Sequence, residues 1–214
     1  MIIKKPQIGT VYVAGAGLAG LSAAISCILK GYKVHLFEST SHAGGRCRSF
    51  NDASLERIID NGNHLILTGN LSVTNYLKSI NALNEFKTID PASFHFIDII
   101  SNEQWILQPG LSWFPWWILM QSKRIPDTNL KDYLALIKFK YANDETIADL
   151  TNTSRPIFKR LWQPLSQAVL NTNAQEAAAA PIWSMLSTTL LKGNKASRPM
   201  LPKTSLSGSL VDPA

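Results

Sequence analysis

The chain has 214 residues, 45% of them hydrophobic, and a formal net charge of +6. That is enough to bury a core in one or two domains, and Lys and Arg are scattered rather than massed, which argues against a nucleic-acid partner. The longest purely apolar run, Trp113 to Met120, is far shorter than the ~20 residues that a membrane-spanning helix requires.

Lys4-Lys5-Pro6 reads as a solvated lead-in, and the first strand begins too soon after it to leave room for a secretory apolar segment. Val11-Tyr12-Val13-Ala14 predicts a strand that runs into Gly15-Ala16-Gly17-Leu18-Ala19-Gly20, a G-x-G-x-x-G turn opening a helix. Gly15 permits the tight turn, Gly17 lets a pyrophosphate approach the backbone, and Gly20 lets the helix pack close to the sheet. The phosphates then rest on unpaired N–H groups of the first helical turn, at Leu18 and Ala19, where the helix dipole favours an anion. Leu18, Leu21, Ile25, Ile28 and Leu29 recur at helical spacing, and Lys30-Gly31 supplies a basic last turn and a glycine stop. Val34 to Phe37 predicts a second, parallel strand with Glu38 at its carboxyl end. A carboxylate there accepts hydrogen bonds from ribose hydroxyls and repels a 2′-phosphate, so NADP is disfavoured while NAD and FAD both stay open. A βαβ packing unit with no ligand is the competing reading.

Cys27 and Cys47 form no metal or redox motif; two unmatched thiols fit a reducing cytoplasm better than a disulfide framework. Beyond Glu38, Gly44-Gly45-Arg46-Cys47-Arg48 again allows the backbone close to a bulky anion and adds positive charge for phosphate oxygens. A second glycine-arginine turn is superfluous for an NAD enzyme. It suits FAD, whose pyrophosphate is contacted from more than one side. Arg57-Ile58-Ile59 predicts a short strand that leads into Asp60-Asn61-Gly62-Asn63-His64, where Asn-Gly marks a turn. His64 is a candidate for approaching a flavin or orienting a substrate, and Asp60 for capping the turn or fixing His64. An ordinary structural histidine is the alternative.

Together, Gly15-x-Gly17-x-x-Gly20, Glu38, Gly44-Gly45-Arg46-x-Arg48-Ser49 and Asp60-Asn61-Gly62-x-His64 resemble the FAD-dependent amine oxidase/phytoene desaturase superfamily. Within it, the chain is most similar to the hydroxysqualene dehydroxylase family of hopanoid synthesis. Asp60 to Leu67 resembles that family's D-N-G-Q-H-L stretch, with Asn63 where Gln is usual. Leu161-Trp162-Gln163-Pro164-Leu165, with Ala168 and Leu170-Asn171-Thr172, is similar to its W-x-P-L…A-x-L-N-T signature, and Leu201-Pro202 and Asp212-Pro213-Ala214 resemble the segment that follows. The resemblance is thin between Leu71 and Thr153. Nothing in the chain matches the family's later Gly-Asp segment, which contacts the flavin end of FAD, so the resemblance implies an N-terminal portion with an incomplete sheet and an exposed sheet edge.

Leu71 to Leu83 predicts a helix from Val73, Tyr76, Leu77 and Ile80. Phe94 to Ile99 partly alternates and predicts a strand, with Gln104 to Leu107 as its antiparallel partner, and the chain from Leu111 onward predicts mostly helix. Trp113 to Met120 is the densest aromatic patch. It reads first as core or hinge, next as a lining for a long isoprenoid, and third as a membrane-surface contact. Lys131, Lys138 and Lys140 lie among Leu130, Leu134, Ile137 and Phe139 and suit an anionic interface, although a solvated face has the same pattern. Leu161 to Leu170 reads as a packed helical turn, with Asn171-Thr172 as a cap or a turn.

The expectation is an α/β fold. A Rossmann-like FAD-binding domain with an incomplete sheet occupies residues 1–70, and a partial, mostly helical α+β substrate domain, truncated at its C-terminal end, occupies 71–214. The resemblance implies an FAD-dependent oxidoreductase of isoprenoid metabolism that reductively dehydroxylates hydroxysqualene to squalene. A carotenoid or phytoene desaturase, an amine oxidase relative, and a catalytically incompetent fragment are the alternatives. Cofactor contacts are expected at Gly15, Gly17, Leu18, Ala19, Gly20, Glu38, Gly44, Gly45, Arg46, Asn63 and His64. His64 is also the catalytic candidate, and no metal is expected. The expected partners are a hydrophobic isoprenoid, the missing C-terminal half and, peripherally, the inner face of the membrane. Nucleic acid is not expected, and the expected compartment is the cytoplasm.

Overall fold

The computed structural model describes residues 8–62, 64–112 and 115–214. Lys4-Lys5-Pro6, Asn63, Trp113 and Phe114 lie outside the described residues. In chain order the elements begin β1 (Thr10–Ala14), α1 (Leu18–Leu29), β2 (Lys33–Phe37), β3 (Ser49–Asp52), β4 (Arg57–Asp60), β5 (Ile66–Leu67), α2 (Leu71–Ser79) and β6 (Phe86–Thr88). They continue with β7 (Phe94–Asp98), β8 (Glu103–Leu107), α3 (Ala135–Lys140), α4 (Ile147–Leu150), α5 (Gln163–Leu170) and α6 (Ala179–Thr188). Last come α7 (Asn194–Ser197), β9 (Pro199–Pro202) and α8 (Leu206–Leu210).

The chain divides into two compact units. The first takes residues 1–66, 71–88 and 200–214, and the second takes 67–70 and 89–199. A single boundary at residue 70 therefore describes neither unit. The last fifteen residues return to the first unit because Leu206, Leu210 and Val211 are buried there with Ala16, Leu21, Leu77 and Phe86.

In the first unit β1 and β2 pair in parallel, Thr10 opposite Lys33 through Ala14 opposite Phe37, with α1 as the crossover. Leu21 and Ala24 are the buried positions of α1, and Gly31, at φ +95°, ends it as the sequence predicts. Among the described residues no third strand joins this pair. Tyr12 stacks on His35 and Phe37 with ring centroids 5.3 and 6.3 Å away, yet Tyr12 is 70% and Phe37 58% exposed. β3 and β4 form an antiparallel hairpin, and β6 pairs antiparallel with β9 from Phe86 opposite Pro202 to Thr88 opposite Met200. α2 stops at Ser79, short of the predicted Leu83. Asn81 there takes a left-handed φ of +55°, which a helix does not continue through.

The second unit starts with the β7–β8 hairpin, Phe94 opposite Leu107 through Asp98 opposite Glu103, and Phe96 stacks flat on Trp105 at 5.6 Å. The rest is mostly helical, as the sequence predicts. Its core centres on Phe139, Ile147, Trp162 and Ile182, with Phe139 meeting Trp162 edge-on at 5.0 Å. A π-helical turn, Phe158–Trp162, precedes α5. Pro164 has no N–H to donate to the carbonyl of Arg160, and the wider turn occupies the span before it. Asn171 ends α5 in the left-handed region, matching its predicted role as a cap. Among the described residues no helix is long and apolar enough to cross a membrane.

Candidate functional site

The first glycine turn has the geometry its sequence demands. Gly15 sits at φ +93°, and its N–H donates to the Phe37 carbonyl at 2.6 Å, which binds the turn to the end of β2. A Cβ on Gly20 would lie 1.8 Å from the Gly15 carbonyl oxygen, so only glycine lets α1 come this close. A Cβ on Gly15 or Gly17 would meet nothing within 4 Å, so that side of the loop is open. Gly17 is the N-cap of α1, without a side-chain cap and without an acidic residue in the first turn. A helix start of this kind leaves its first N–H groups, those of Leu18, Ala19 and Gly20, without an intrahelical partner, as an anion site requires.

Glu38 ties the loop to β2. One carboxylate oxygen accepts from the Ala16 N–H at 2.8 Å, and the other accepts from the Thr40 N–H and hydroxyl, each at 2.9 Å. These bonds, that from Ala16 foremost, lower its pKa from the ordinary 4.5 to about 2. Oε1 also accepts from the Ser39 hydroxyl at 3.3 Å, whereas Oε2 accepts only from Ala16 among the described residues, so acceptor capacity for a ribose hydroxyl remains on Oε2.

The second glycine turn packs directly on the first. Gly44 bridges Gly17 in parallel fashion, and its N–H donates to the Ala16 carbonyl at 2.7 Å. A Cβ on Gly44 would lie 2.4 Å from the Cys47 carbonyl oxygen, and Gly44 holds φ +102°. The Asp-Asn-Gly turn joins the same cluster: Asn61 donates its N–H to the Arg48 carbonyl at 2.8 Å and its side-chain amide to the Arg46 carbonyl at 3.3 Å. Three motifs spread over fifty residues of sequence thus meet at one edge of the βαβ unit. Arg46 is exposed there and makes no ion pair among the described residues.

Asp60 does not hold His64. One of its oxygens accepts from the Ser49 hydroxyl at 2.6 Å and from the Leu206 N–H at 2.9 Å, so Asp60 fastens β4 to the start of α8. Ser49 and Ser207 exchange reciprocal bonds, backbone to hydroxyl, at 2.9 Å each. His64 is exposed, with its ring 3.8 Å from where a Gly62 Cβ would stand, and has no hydrogen-bond partner among the described residues. A cleft of about 370 Å³ beside the arginine turn is lined by Arg48, Ser49, Phe50, Ile58 and Ser207 among others, and does not include the glycines of the first turn. Burial and the nearby Asp60 carboxylate raise the pKa of the Cys47 thiol, so it is a poor nucleophile. Among the described residues no cluster of His, Cys, Asp and Glu suits a metal.

Sequence reasoning missed Thr40 and Ser207, and gave Ser49, the last residue of the second glycine-arginine motif, no role of its own. A hydroxyl two residues after a strand-end carboxylate was the available signal for Thr40, whereas nothing local marks Ser207. Trp162, singled out from the family signature, is core: it is fully buried against Phe139.

The donors and shapes fit a dinucleotide: two Cβ-free approaches, an uncapped helix start, a strand-end carboxylate and a free arginine. Comparison with known proteins agrees. Residues 13–80 match the model of an NAD(P)-binding Rossmann-like domain. The chain is 40% identical over 95% of its length to a hydroxysqualene dehydroxylase of Zymomonas mobilis, and 41% identical over 96% of its length to one of Rhodopseudomonas palustris. It spans about half the length of these relatives, 49% of each. An oxidoreductase from Methanosarcina mazei shares the fold at a TM-score of 0.58 and 14% identity, over 95% of this chain and 48% of that one.

Proposed function

We propose, from a chain that is related to the hydroxysqualene dehydroxylases over about half their length, that its first unit is the FAD-binding part of a reductive dehydroxylase acting on a long isoprenoid alcohol. The contact between the Gly15–Gly20 and Gly44–Arg46 turns carries this reading, because a doubled glycine cradle suits an extended dinucleotide diphosphate better than a lone phosphate. In the proposed complex the N–H groups of Leu18, Ala19 and Gly20 hold the pyrophosphate and Arg46 neutralises it. Glu38 receives the ribose hydroxyls while keeping the loop in place through Ala16. His64 is proposed to lie toward the flavin, as the candidate acid that lets the substrate hydroxyl leave as water. Reduced FAD, when bound, supplies the hydride that replaces it. The second unit is proposed to receive the apolar substrate.

Assembly with a polypeptide corresponding to the rest of the relatives' length, and peripheral contact with the cytoplasmic membrane surface, belong to the same proposal. The open Tyr12–Phe37 face and the exposed Ile28 and Leu29 of α1 support the first of these. Purified chain should retain flavin through gel filtration, alone or together with that polypeptide. The assembly, given a reductant, should convert hydroxysqualene to squalene. Conversion of phytoene or of an amine in its place, or a colourless assembly that ignores added FAD, would overturn the reading.

A further inference from the structure

α3 of the second unit is packed on one face only. Inward, Tyr133, Ala135 and Phe139 are at most 8% exposed, and Tyr133 is fixed by hydrogen bonds from its neighbourhood, including the Ile125 N–H at 3.1 Å. Outward, Leu134, Ile137 and Tyr141 are 54%, 58% and 70% exposed. Ile137 lies on α3 itself, and Leu134 and Tyr141 flank it at either end, so a spacing of three and four residues sets all three along one side. A helix that has already buried one side and still shows an apolar row has a second surface to meet.

The charges around the row name that surface. Between residues 121 and 141 the chain carries Lys123, Arg124, Lys131, Lys138 and Lys140 against Asp127 and Asp132. Both of these acids are taken: Asp127 pairs with Arg160 at 2.9 Å and Asp132 with Arg155 at 2.8 Å. The acids that follow Tyr141 are Asp144, Glu145, which accepts from the Asn143 N–H, and Asp149, which caps α4 through the Thr146 N–H. The four lysines are exposed and make no ion pair among the described residues. Lys140 lies over the Tyr141 ring, 5.2 Å from its centroid. Edge-on packing of Trp117 against Tyr133, at 5.7 Å, brings the 116–120 segment alongside, where Leu119 and Met120 are half exposed.

We infer that the outer side of α3 and its two flanking residues, Leu134, Ile137 and Tyr141 with Lys131, Lys138 and Lys140 around them, docks on a bilayer surface rich in anionic headgroups. This deepens the membrane contact proposed above and rests on that reading; it needs nothing from the flavin site. Apolar side chains enter the headgroup boundary while lysine ammoniums meet lipid phosphates, the division of labour of an interfacial helix. A bilayer also holds the apolar substrate class proposed for this chain.

The test is flotation of the full chain with phosphatidylcholine vesicles, with and without phosphatidylglycerol. Wild type should float with the anionic vesicles and lose binding as salt is raised. Leu134→Ser with Ile137→Ser should reduce binding about tenfold or more while leaving the urea midpoint and FAD titration unchanged, because both side chains are exposed. Lys138→Gln with Lys140→Gln should remove the preference for phosphatidylglycerol. Ile99→Ser with Ile100→Ser changes two residues that are 87% and 94% exposed at the tip of the β7–β8 hairpin, and should bind like wild type. The inference is overturned if the hairpin variant loses binding in place of the helix variant, or if wild type ignores both vesicles. It is equally overturned if the helix variant instead turns a dimer into a monomer. Failure here with FAD binding intact leaves the flavin reading standing, and the reverse result separates the two the other way.

Discussion

In the first unit Tyr12, Ile28, Leu29 and Phe37 are each more than half exposed, whereas in the second Phe139, Ile147, Trp162 and Ile182 are sealed from solvent. The first unit spends its specificity on backbone: glycines at φ +93° and +102°, main-chain bonds from Gly15 to Phe37 and from Gly44 to Ala16, and an uncapped helix start. The second is specified by side-chain volume around a helical core, with Arg155 on Asp132 and Arg160 on Glu103 at its periphery. The first unit has a buried core too, with Leu21, Leu77, Phe86 and Leu206 in it, but its cradle is set by backbone rather than by side-chain volume. The cradle's groups are main-chain donors, fixed by where a Cβ is missing.

The comparison can be broken most sharply from the packed side. Trp162→Ala should destabilise the second unit by about 3–5 kcal/mol through the cavity it leaves beside Phe139. Urea unfolding followed by far-ultraviolet circular dichroism reads that loss, and a much smaller one would mean that the helical core is not held by volume. Gly20→Ala is the counterpart on the backbone side. With a Cβ 1.8 Å from the Gly15 carbonyl, the loop must shift, and FAD affinity should fall by about ten- to a hundredfold, or about 1.4–2.7 kcal/mol. Flavin fluorescence titration checks it, and the helical signal of the second unit should not change.

Glu38→Gln sharpens the contrast through pH. The folded pKa of about 2 lies below the ordinary 4.5, so the stabilisation from Glu38 is complete above about pH 4.5 and disappears as pH falls toward 2. Wild type should therefore exceed the Gln variant in urea midpoint near neutrality, with the gap closing through that acid window. A gap that stays constant would show that the carboxylate charge does not hold Ala16. Asn61→Ala should do least. It removes one exposed bond of 3.3 Å to the Arg46 carbonyl and should weaken FAD about two- to fivefold, in line with about 0.5–1 kcal/mol for such a bond.

The βαβ start, the Gly31 stop, the β7–β8 hairpin and the cap at Asn171 were legible because each depends on residues a few positions apart. Left-handed backbone selects Gly or Asn, and apolar spacing selects helix or strand. The Asp60 role was read wrongly in part: the sequence offers His64 four residues away, while the fold gives Asp60 to Ser49 and Leu206. The end of α2 was set too late because the apolar pattern continues to Leu83 after Asn81 has already turned the chain.

The sequence by itself determined the glycine cradle, since only a missing Cβ permits contacts of this closeness, and the order of residues writes those absences down directly. Tertiary structure alone decided that residues 200–214 return to the first unit, that Ser207 pairs with Ser49 across 158 positions, and that the outer row of α3 is left uncovered. Such contacts are chosen by which apolar surfaces find each other after the local elements exist, and no local pattern in the chain records that choice.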